Sequence, residues 1–384
     1  MNYTDNNNRK LLHRSIIGSL PHNLHHGGVN QSSCTESTKA MDKGDQTYSP
    51  SKLTIAVTTQ ATIVLHLCVI ACIHIMSVNA EGNPSNTTTN DKSWDDVILS
   101  QEFIGKFPNK WTVLDYTFFG VTILLALELL NIVVKYGSRN GLFTGNSNKK
   151  QIPVRGKHLD DLRPIDYLFI SMNKAATPPF VYFLMRYLYF EENSVWSINS
   201  LSLRNTLVPL PFLYVIYDFF YTILHWALHI QSVYKYIHKH HHTQKAPSRA
   251  NVDAVNVHPV EFFLGEYNHL LAVFIWCKCL HQDLHVACVV LFLLIGGVLT
   301  AWNHTRFDIV YSLNGMVTFF DSKYHDVHHR IPQCNYGQYI MLWDLVFGTF
   351  RPYNHNDKVN PKAQLDPTTG KSYEYLELRA SKRH

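Results

Sequence analysis

The chain has 384 residues, of which 46% are hydrophobic, 13% are aromatic and 16% are charged, and its formal net charge is +5. This apolar and aromatic content excludes a disordered or low-complexity chain, and the mild, scattered positive charge gives no support to nucleic-acid binding. The charged fraction is below the roughly 25% that is typical of soluble globular proteins, so the composition favours a membrane protein.

The N-terminal part of the chain changes abruptly from polar to apolar. Residues 1–52 are rich in Asn, Ser, Thr and Gly and have little periodicity, which predicts a disordered polar tail. Residues 53–78 carry no Asp, Glu, Lys or Arg and exceed the roughly 20 residues that a spanning helix needs, so we predict an N-terminal transmembrane anchor. Val78-Asn79-Ala80 resembles a signal-peptidase site, which leaves cleavage of this anchor open.

Residues 79–164 are predicted to contain a lumenal loop, a second transmembrane span and a basic cytosolic loop. The lumenal loop carries a glycosylation sequon at Asn86, and the second apolar run extends from Val113 to Val134. Basic residues cluster after this run, and cytoplasmic loops are enriched in Lys and Arg. We therefore expect residues 135–165 to lie in the cytosol.

Three further apolar stretches lie within residues 165–353, namely 167–190, 207–224 and 270–302. The first contains Pro178-Pro179, which predicts a broken or re-entrant segment. The last is long enough for a hairpin of two spans, with His281 and His285 at its turn. Residues 354–384 form a predicted polar C-terminal tail. Together these features predict an all-α integral membrane protein that is built as a transmembrane helical bundle.

Histidine is the strongest anomaly of the composition, with 23 residues, and the most informative of them form three clusters. The first cluster is an HxxxH pair, and the second and third are HxxHH boxes. On a helix, residues three or four positions apart share a face, so each cluster is expected to present its imidazoles to one side. Eight imidazoles are too many for one metal ion and suit two. The members are His225 and His229; His238, His241 and His242; and His325, His328 and His329.

The surroundings of the boxes narrow the choice of metal. Imidazole binds iron, copper, zinc and nickel, whereas a structural zinc needs four ligands and a catalytic zinc about three. A pair of redox-active irons beside a lipid-embedded cavity makes better use of eight histidines. His304 follows the late apolar run and is a ninth candidate ligand, and His258 is a candidate ligand or auxiliary residue. Asp326 is a candidate auxiliary carboxylate that orients a ligand, with a solvated carboxylate as the ordinary alternative.

A single histidine box is weak evidence for a metal site. The polar tail contains the HxxHH spacing at His22, His25 and His26 without an apolar scaffold, and we interpret it as coincidental. The downstream clusters differ because they occur together and in order, each beside a long apolar run. A non-enzymatic metal transporter or metal sensor is an alternative from another class, but it needs ligands at mid-bilayer depth. A zinc peptidase needs an HExxH helix, which the sequence lacks.

The ordered boxes, the sequence His258-Pro259-Val260-Glu261 and a terminal motif from Asn335-Tyr336-Gly337 to Thr349 resemble the fatty acid hydroxylase / sterol desaturase superfamily over roughly residues 165–353. The resemblance implies an O2-dependent oxidoreductase of the endoplasmic reticulum membrane, with a cytosolic, histidine-rich helical cap that binds two non-haem iron ions. It also implies NAD(P)H-derived electrons from a partner such as cytochrome b5 or a reductase of the NADPH-cytochrome P-450 type. The eight box histidines are the iron ligands that the resemblance implies.

Within the superfamily, the layout looks most like the alternative squalene epoxidase branch, which implies conversion of squalene to 2,3-oxidosqualene in sterol biosynthesis. The sequence His258-Pro259-Val260-Glu261 looks more like the C-4 methylsterol oxidases than the sterol C-5 desaturases, and both activities are alternatives. In each case the protein would work in a lipid bilayer on a hydrophobic isoprenoid or sterol.

Overall fold

The computed structural model of the chain describes residue 107 and residues 110–139, 151–313, 317–367 and 369–382. The predicted polar tail with its HxxHH sequence, the predicted first anchor and most of the predicted lumenal loop lie outside the described residues. The second predicted span and all three downstream histidine clusters lie within them.

Helices make up most of the described chain. In chain order they are α1 Val113–Arg139, α2 Pro164–Phe190, α3 Leu203–Thr206, α4 Pro209–Leu228, α5 Gln231–Tyr234, α6 Asn251–Ala254, α7 Pro259–Phe274, α8 Val286–Asn303, α9 Ser322–Arg330, α10 Leu342–Phe347 and α11 Tyr373–Ser381. A π-helix at Ile275–Cys279 extends α7, and 3-10 turns occupy Ile198–Ser200, His241–Thr243 and Pro361–Ala363.

Short strands make the prediction of an all-α protein incomplete. In the described part of the chain, β1 Ser194–Val195 pairs in parallel with β2 Leu284–His285, and β3 Val310–Leu313 pairs antiparallel with β4 Val317–Asp321. The β3–β4 sequences are rich in β-branched and aromatic residues, which favour strands and do not show the period of a helix.

Three helical segments of the described chain are long and apolar enough to cross a membrane, namely α1, the α3–α4 segment Leu203–Leu228, and α8. The 27 residues of α1 span about 40 Å. Its apolar side chains are largely exposed, including Leu114, Phe118 and Leu125, as expected for side chains in contact with lipid. The described part of the chain is therefore mostly helical and contains three candidate membrane spans.

The prediction that the Pro178-Pro179 segment is broken is wrong, because α2 runs through both prolines. Each proline removes one helical N–H donor, which weakens the helix locally. The helix is retained because it packs against both α1 and α7. Gly120 of α1 faces Pro178 in this contact, where an added Cβ atom would lie at an ordinary contact distance of 3.8 Å from Cβ of Pro178.

The long helices alternate in direction. The indole of Trp302 donates a hydrogen bond of 2.9 Å to Oγ of Ser138, which joins the C-terminal ends of α8 and α1. The amide of Asn173 donates to the carbonyl of Val255 at 2.8 Å, which brings the N-terminal part of α2 close to the start of α7. Both contacts lie on the side where α4 and α8 end in histidines, here called the histidine side. The turn between α7 and α8, which contains His281 and His285, lies at the other ends of those helices.

Two buried carboxylates hold the segment 335–340 across the bundle. Asp218 on α4 accepts backbone hydrogen bonds from Gln338, Tyr339 and Ile340, at 2.6–3.2 Å. Asp344 on α10 accepts three hydrogen bonds, each 2.6–2.7 Å long. Its donors are the backbone N–H groups of Tyr336 and Gly337 and the hydroxyl of Thr349. The terminal motif of the sequence is therefore a backbone clamp.

The segment predicted as a polar C-terminal tail has structure of its own. It contains α11, and the residues before that helix bind the segment that precedes α2. The N–H and hydroxyl groups of Ser372 donate to the carboxylate of Asp160 at 2.6 and 2.8 Å. The side chain of Gln364 accepts from the backbone N–H of Val154 at 3.0 Å.

Replacement of Asp344 by Ala should lower the free energy of unfolding by about 3 kcal/mol, because it leaves two buried backbone N–H groups without an acceptor. Thermal unfolding of the detergent-purified protein measures the effect, with Glu374→Ala on the exposed face of α11 as the control. Equal melting temperatures for Asp344→Ala and the wild type would show that the clamp does not stabilise the fold.

Candidate metal centre

Nine histidines form two adjacent groups among the residues that the structure describes. Within each group, one potential ligand atom of every residue lies within 4.8 Å of the others. The five-histidine cluster contains His225, His229, His238, His242 and His328, and the four-histidine cluster contains His241, His304, His325 and His329. The rings of His242 and His329, one from each cluster, have centroids 5.1 Å apart. The structure thus brings together all eight box histidines and His304.

The two HxxHH boxes divide their residues between the two adjacent clusters, and all three imidazoles of each box are buried there. In the second box, His238 and His242 belong to the five-histidine cluster, whereas His241 belongs to the four-histidine cluster. In the third box, His325 and His329 belong to the four-histidine cluster, whereas His328 belongs to the five-histidine cluster. In the third box, which is α-helical, the adjacent residues His328 and His329 point about 100° apart because a turn contains 3.6 residues. Each box therefore contributes ligand atoms to both clusters.

The local structure of the boxes differs. His225 lies in the last turn of α4 and His229 is its C-terminal cap, whereas His304 caps the C-terminus of α8. The second box is a series of turns that ends in the 3-10 turn His241–Thr243, and it is not an α-helix as predicted. The third box lies on α9, whose N-terminus is capped by the side chain of Asp321. The clusters therefore form where two long apolar helices end.

Backbone contacts determine which nitrogen of three imidazoles carries the proton. In each of these rings Nδ1 lies 2.7–2.8 Å from a carbonyl oxygen. A carbonyl can only accept, so Nδ1 carries the hydrogen and the neutral ring presents a lone pair at Nε2. The pairs are His225 with Tyr336, His304 with Thr300, and His328 with Cys334.

The Nε2 atoms converge at the spacing of metal ligands. Successive Nε2–Nε2 distances are 2.9–3.1 Å through His225, His238, His242 and His328. The corresponding distances in the four-histidine cluster are 3.1–3.4 Å. A metal that binds imidazole nitrogen at about 2.1 Å holds ligands at right angles about 3 Å apart. Nε2 of His229 is buried without a hydrogen-bond partner among the described residues, so the donor set fits metal ions.

Burial keeps the candidate ligands in the form that binds metal. Desolvation, followed by repulsion from neighbouring imidazoles, lowers the pKa of the deeply buried rings well below the ordinary value of 6.5. These rings are therefore neutral at neutral pH, and a neutral imidazole is the metal ligand. The rings affected in this way include His238, His241, His242 and His325.

Glu261 is a contributor that the sequence analysis missed. Its Oε1 atom lies 2.8 Å from Nδ1 of His238, and both side chains are buried. A carboxylate against the outer nitrogen of a ligand orients the ring and makes its other nitrogen a better donor. His258 of the same motif, the predicted ligand or auxiliary residue, caps α7 through its Nδ1 and lies outside both clusters. The sequence feature that could have indicated Glu261 is its position as an acidic residue three places after His258.

Asp326 binds arginines. Its carboxylate receives hydrogen bonds from Arg306 at 2.6 Å and from Arg330 at 3.2 Å. Arg306 in turn donates to the carbonyls of Ile152 and Pro153, which ties α9 to the segment before α2. The structure thus places Asp326 in an ion-pair network that anchors the histidine helix.

Two cavities lie beside the clusters. The cavity here called the internal chamber has a volume of about 340 Å³, is partly open, and is bordered by α1, α2, α4, α7 and α8. Three of its lining residues contact cluster histidines, namely Glu261, Tyr221 and Thr300. The lateral cavity, of about 1030 Å³, lies between α4, α8, the β3–β4 hairpin and α10, and its lining is almost entirely aliphatic and aromatic.

Comparisons with known proteins identify the class. Residues 210–349 match the family model described as fatty acid hydroxylase, and this segment of the chain belongs to that family, whose members depend on non-haem iron. The chain is similar to methylsterol monooxygenase 1 of Danio rerio, at 31% identity over 40% of this chain and 50% of the relative. The chain is also similar to human lathosterol oxidase, at 31% identity over 35% of this chain and 42% of that protein. No solved structure matches.

The relatives overturn the squalene epoxidase prediction. The C-4 methylsterol oxidase of Schizosaccharomyces pombe is 28% identical over 34% of this chain and 43% of that protein. The names of these relatives specify sterol oxidation, as the alternative reading expected, and none specifies squalene. The prediction was wrong because ligand spacing defines the metal centre and leaves the substrate open. The chain spans half or less of the length of each of these relatives.

Replacement of Glu261 by Gln should weaken metal binding about 10- to 100-fold, because the amide no longer provides a charged acceptor for His238 Nδ1. Cobalt(II) titration of the metal-free full chain, followed by absorbance, measures the affinity. His258→Ala is the matched control from the same motif and should bind cobalt as the wild type does. Wild-type affinity in Glu261→Gln would remove the carboxylate from the metal centre.

Proposed function

We propose that this protein is a membrane-bound, O2-dependent oxidoreductase that oxidises the C-4 methyl group of a sterol. Two adjacent imidazole clusters, within a segment similar to methylsterol monooxygenases, carry the proposal. The internal chamber beside the clusters supports it, because a lipid substrate needs an apolar site next to the metal.

The five-histidine and four-histidine clusters would each hold one iron ion. Iron in such a site supplies the redox chemistry that activates O2 toward an unreactive C–H bond. The chain holds the rings in place through the backbone contacts of His225, His304 and His328 and the carboxylate of Glu261. Apolar helices exclude water from the chamber, and the chamber wall positions the carbon that reacts.

The distribution of basic residues supports an orientation in the endoplasmic reticulum membrane. Arg139, Arg249, Arg306 and Arg330 lie on or beyond the ends of the helices at the histidine side. Cytoplasmic loops are rich in Lys and Arg, so the clusters would face the cytosol. A cytosolic donor such as cytochrome b5 or a reductase of the cytochrome P-450 type would then reach them. Residues 165–353 would form the catalytic part, and residues 53–78 a separate anchor.

Sterol C-5 desaturation is the second candidate, because human lathosterol oxidase is as similar in identity as the zebrafish methylsterol monooxygenase. A metal transporter is disfavoured. The clusters lie at the ends of α4 and α8, whereas a transport site requires ligands near the middle of the spans.

Expression of the full chain in yeast that lacks its C-4 methylsterol oxidase should restore growth and remove accumulated 4-methylsterols, as measured by gas chromatography and mass spectrometry. His328→Ala should abolish rescue, because this residue belongs to the five-histidine cluster. The matched control is His25→Ala/His26→Ala, which alters the HxxHH sequence of the predicted tail and should still rescue.

Rescue of yeast that lacks the sterol C-5 desaturase, without rescue of the C-4 strain, would favour the second candidate. Purified protein that contains zinc without iron and consumes no O2 with either class of sterol would contradict both.

A further inference from the structure

The two carboxylates that line the internal chamber lie toward its histidine side, whereas the wall that α8 forms at its other side is apolar. Helix direction establishes this order, because α7 begins at the histidine side and α8 ends there. Toward that side the lining includes Glu261, Glu266 and Thr300. Toward the other side it includes Val290 and Leu293 of α8. An elongated amphiphile therefore fits with its polar end near the clusters and its hydrocarbon body pointing away.

Most polar side chains of the chamber already have partners. Lys174 pairs with Glu128 of α1, Glu261 faces His238, and His269 Nε2 lies 3.1 Å from the hydroxyl of Tyr339. A further pair joins Gln338 to Thr300 at 2.9 Å. The carboxylate of Glu266 makes no hydrogen bond or ion pair with any residue of the described ranges, although it lines the same chamber. It is therefore available to a ligand.

Glu266 lies close to the metal centre. It follows Glu261 by five residues, which is about 7.5 Å along α7, and helical side chains lean toward the N-terminus and hence toward the clusters. At the same level, a Cβ atom on Gly265 would lie 3.8 Å from the ring of Tyr221. The Tyr221 ring in turn lies 5.3 Å from that of His225. The ring of Tyr221 thus lies between Gly265 of α7 and His225 of the five-histidine cluster.

We infer that Glu266 binds the hydroxyl group of an amphiphilic lipid alcohol whose oxidised carbon lies only a few bonds from that hydroxyl. The inference rests on the proposed function and specifies its substrate. A sterol meets the requirement, because its C-4 methyl group is attached to the carbon next to the one that bears the hydroxyl. Squalene has no hydroxyl to bind. A long acyl chain that is oxidised far from its polar head would place that head outside the chamber.

The test compares a 4,4-dimethylsterol with its 3-deoxy analogue, using the full chain in lipid nanodiscs with its electron donor. The wild type should prefer the alcohol by roughly 10- to 100-fold in kcat/KM, because a site built around a hydroxyl rejects a ligand that lacks one. Glu266→Leu should lose this preference, because its kcat/KM for the alcohol should fall toward its kcat/KM for the deoxy compound. Glu266→Gln, which can still accept a hydrogen bond, should retain most of it.

Equal loss of turnover with both compounds in Glu266→Leu would indicate a structural role and overturn the inference. So would a wild type that does not discriminate between them. Binding of the radiolabelled sterol alcohol to the same nanodiscs provides a readout that does not require activity. Glu266-dependent binding of the alcohol without any oxidation would refute the proposed function but support the contact between Glu266 and the hydroxyl. Sterol oxidation without hydroxyl preference would support the proposed function and overturn the inference.

A steric pair of variants tests which cavity holds the substrate. Gly265→Leu fills the internal chamber, where the nearest atom to a new Cβ lies at an ordinary contact distance, and should reduce sterol binding at least tenfold. Leu345→Trp places a larger side chain at an exposed position of the lateral cavity and should bind as the wild type does. The opposite result would assign the substrate to the lateral cavity and contradict the role of Glu266.

Discussion

Convergence of imidazole lone pairs is the constraint on which the structure depends. In three rings a backbone carbonyl holds the proton on Nδ1, so the Nε2 lone pairs of His225, His304 and His328 point toward other imidazoles about 3 Å away. Nine imidazoles packed in this way inside a protein form two donor sets that fit metal ions at the points where they converge. We therefore expect metal binding to stabilise the fold of the histidine side.

The surrounding fold holds these rings in position. The carbonyl that receives His225 belongs to Tyr336, and the backbone of that residue is held by Asp344. The next residues of the same segment donate to Asp218 on the helix that carries His225, so helix and clamp support each other. A second network connects α9 to the segment before α2 through Asp326. Carboxylates thus position most of the metal centre from a distance.

Much of the site could be predicted from the sequence, because HxxxH and HxxHH spacings beside apolar runs restrict both geometry and chemistry. The division of each box between two clusters could not, since it depends on the 100° rotation between neighbouring residues and on where the partner helices lie. The contact of Glu261 with His238 could not be predicted from the sequence, because it depends on how α7 packs against the second histidine box. The continuous α2 helix and the β3–β4 hairpin depend on tertiary packing, which overrides the local signals of proline and of apolar runs. Substrate identity depends on cavity lining, which ligand spacing does not encode.

The central claim, that each cluster holds one iron ion, is tested most directly by anomalous scattering from crystals of the iron-loaded full chain. Difference maps recorded above and below the iron K edge should contain two peaks, one among the Nε2 atoms of the five-histidine cluster and one among those of the four-histidine cluster. A single peak, or scattering that appears only at the zinc edge, would contradict the claim.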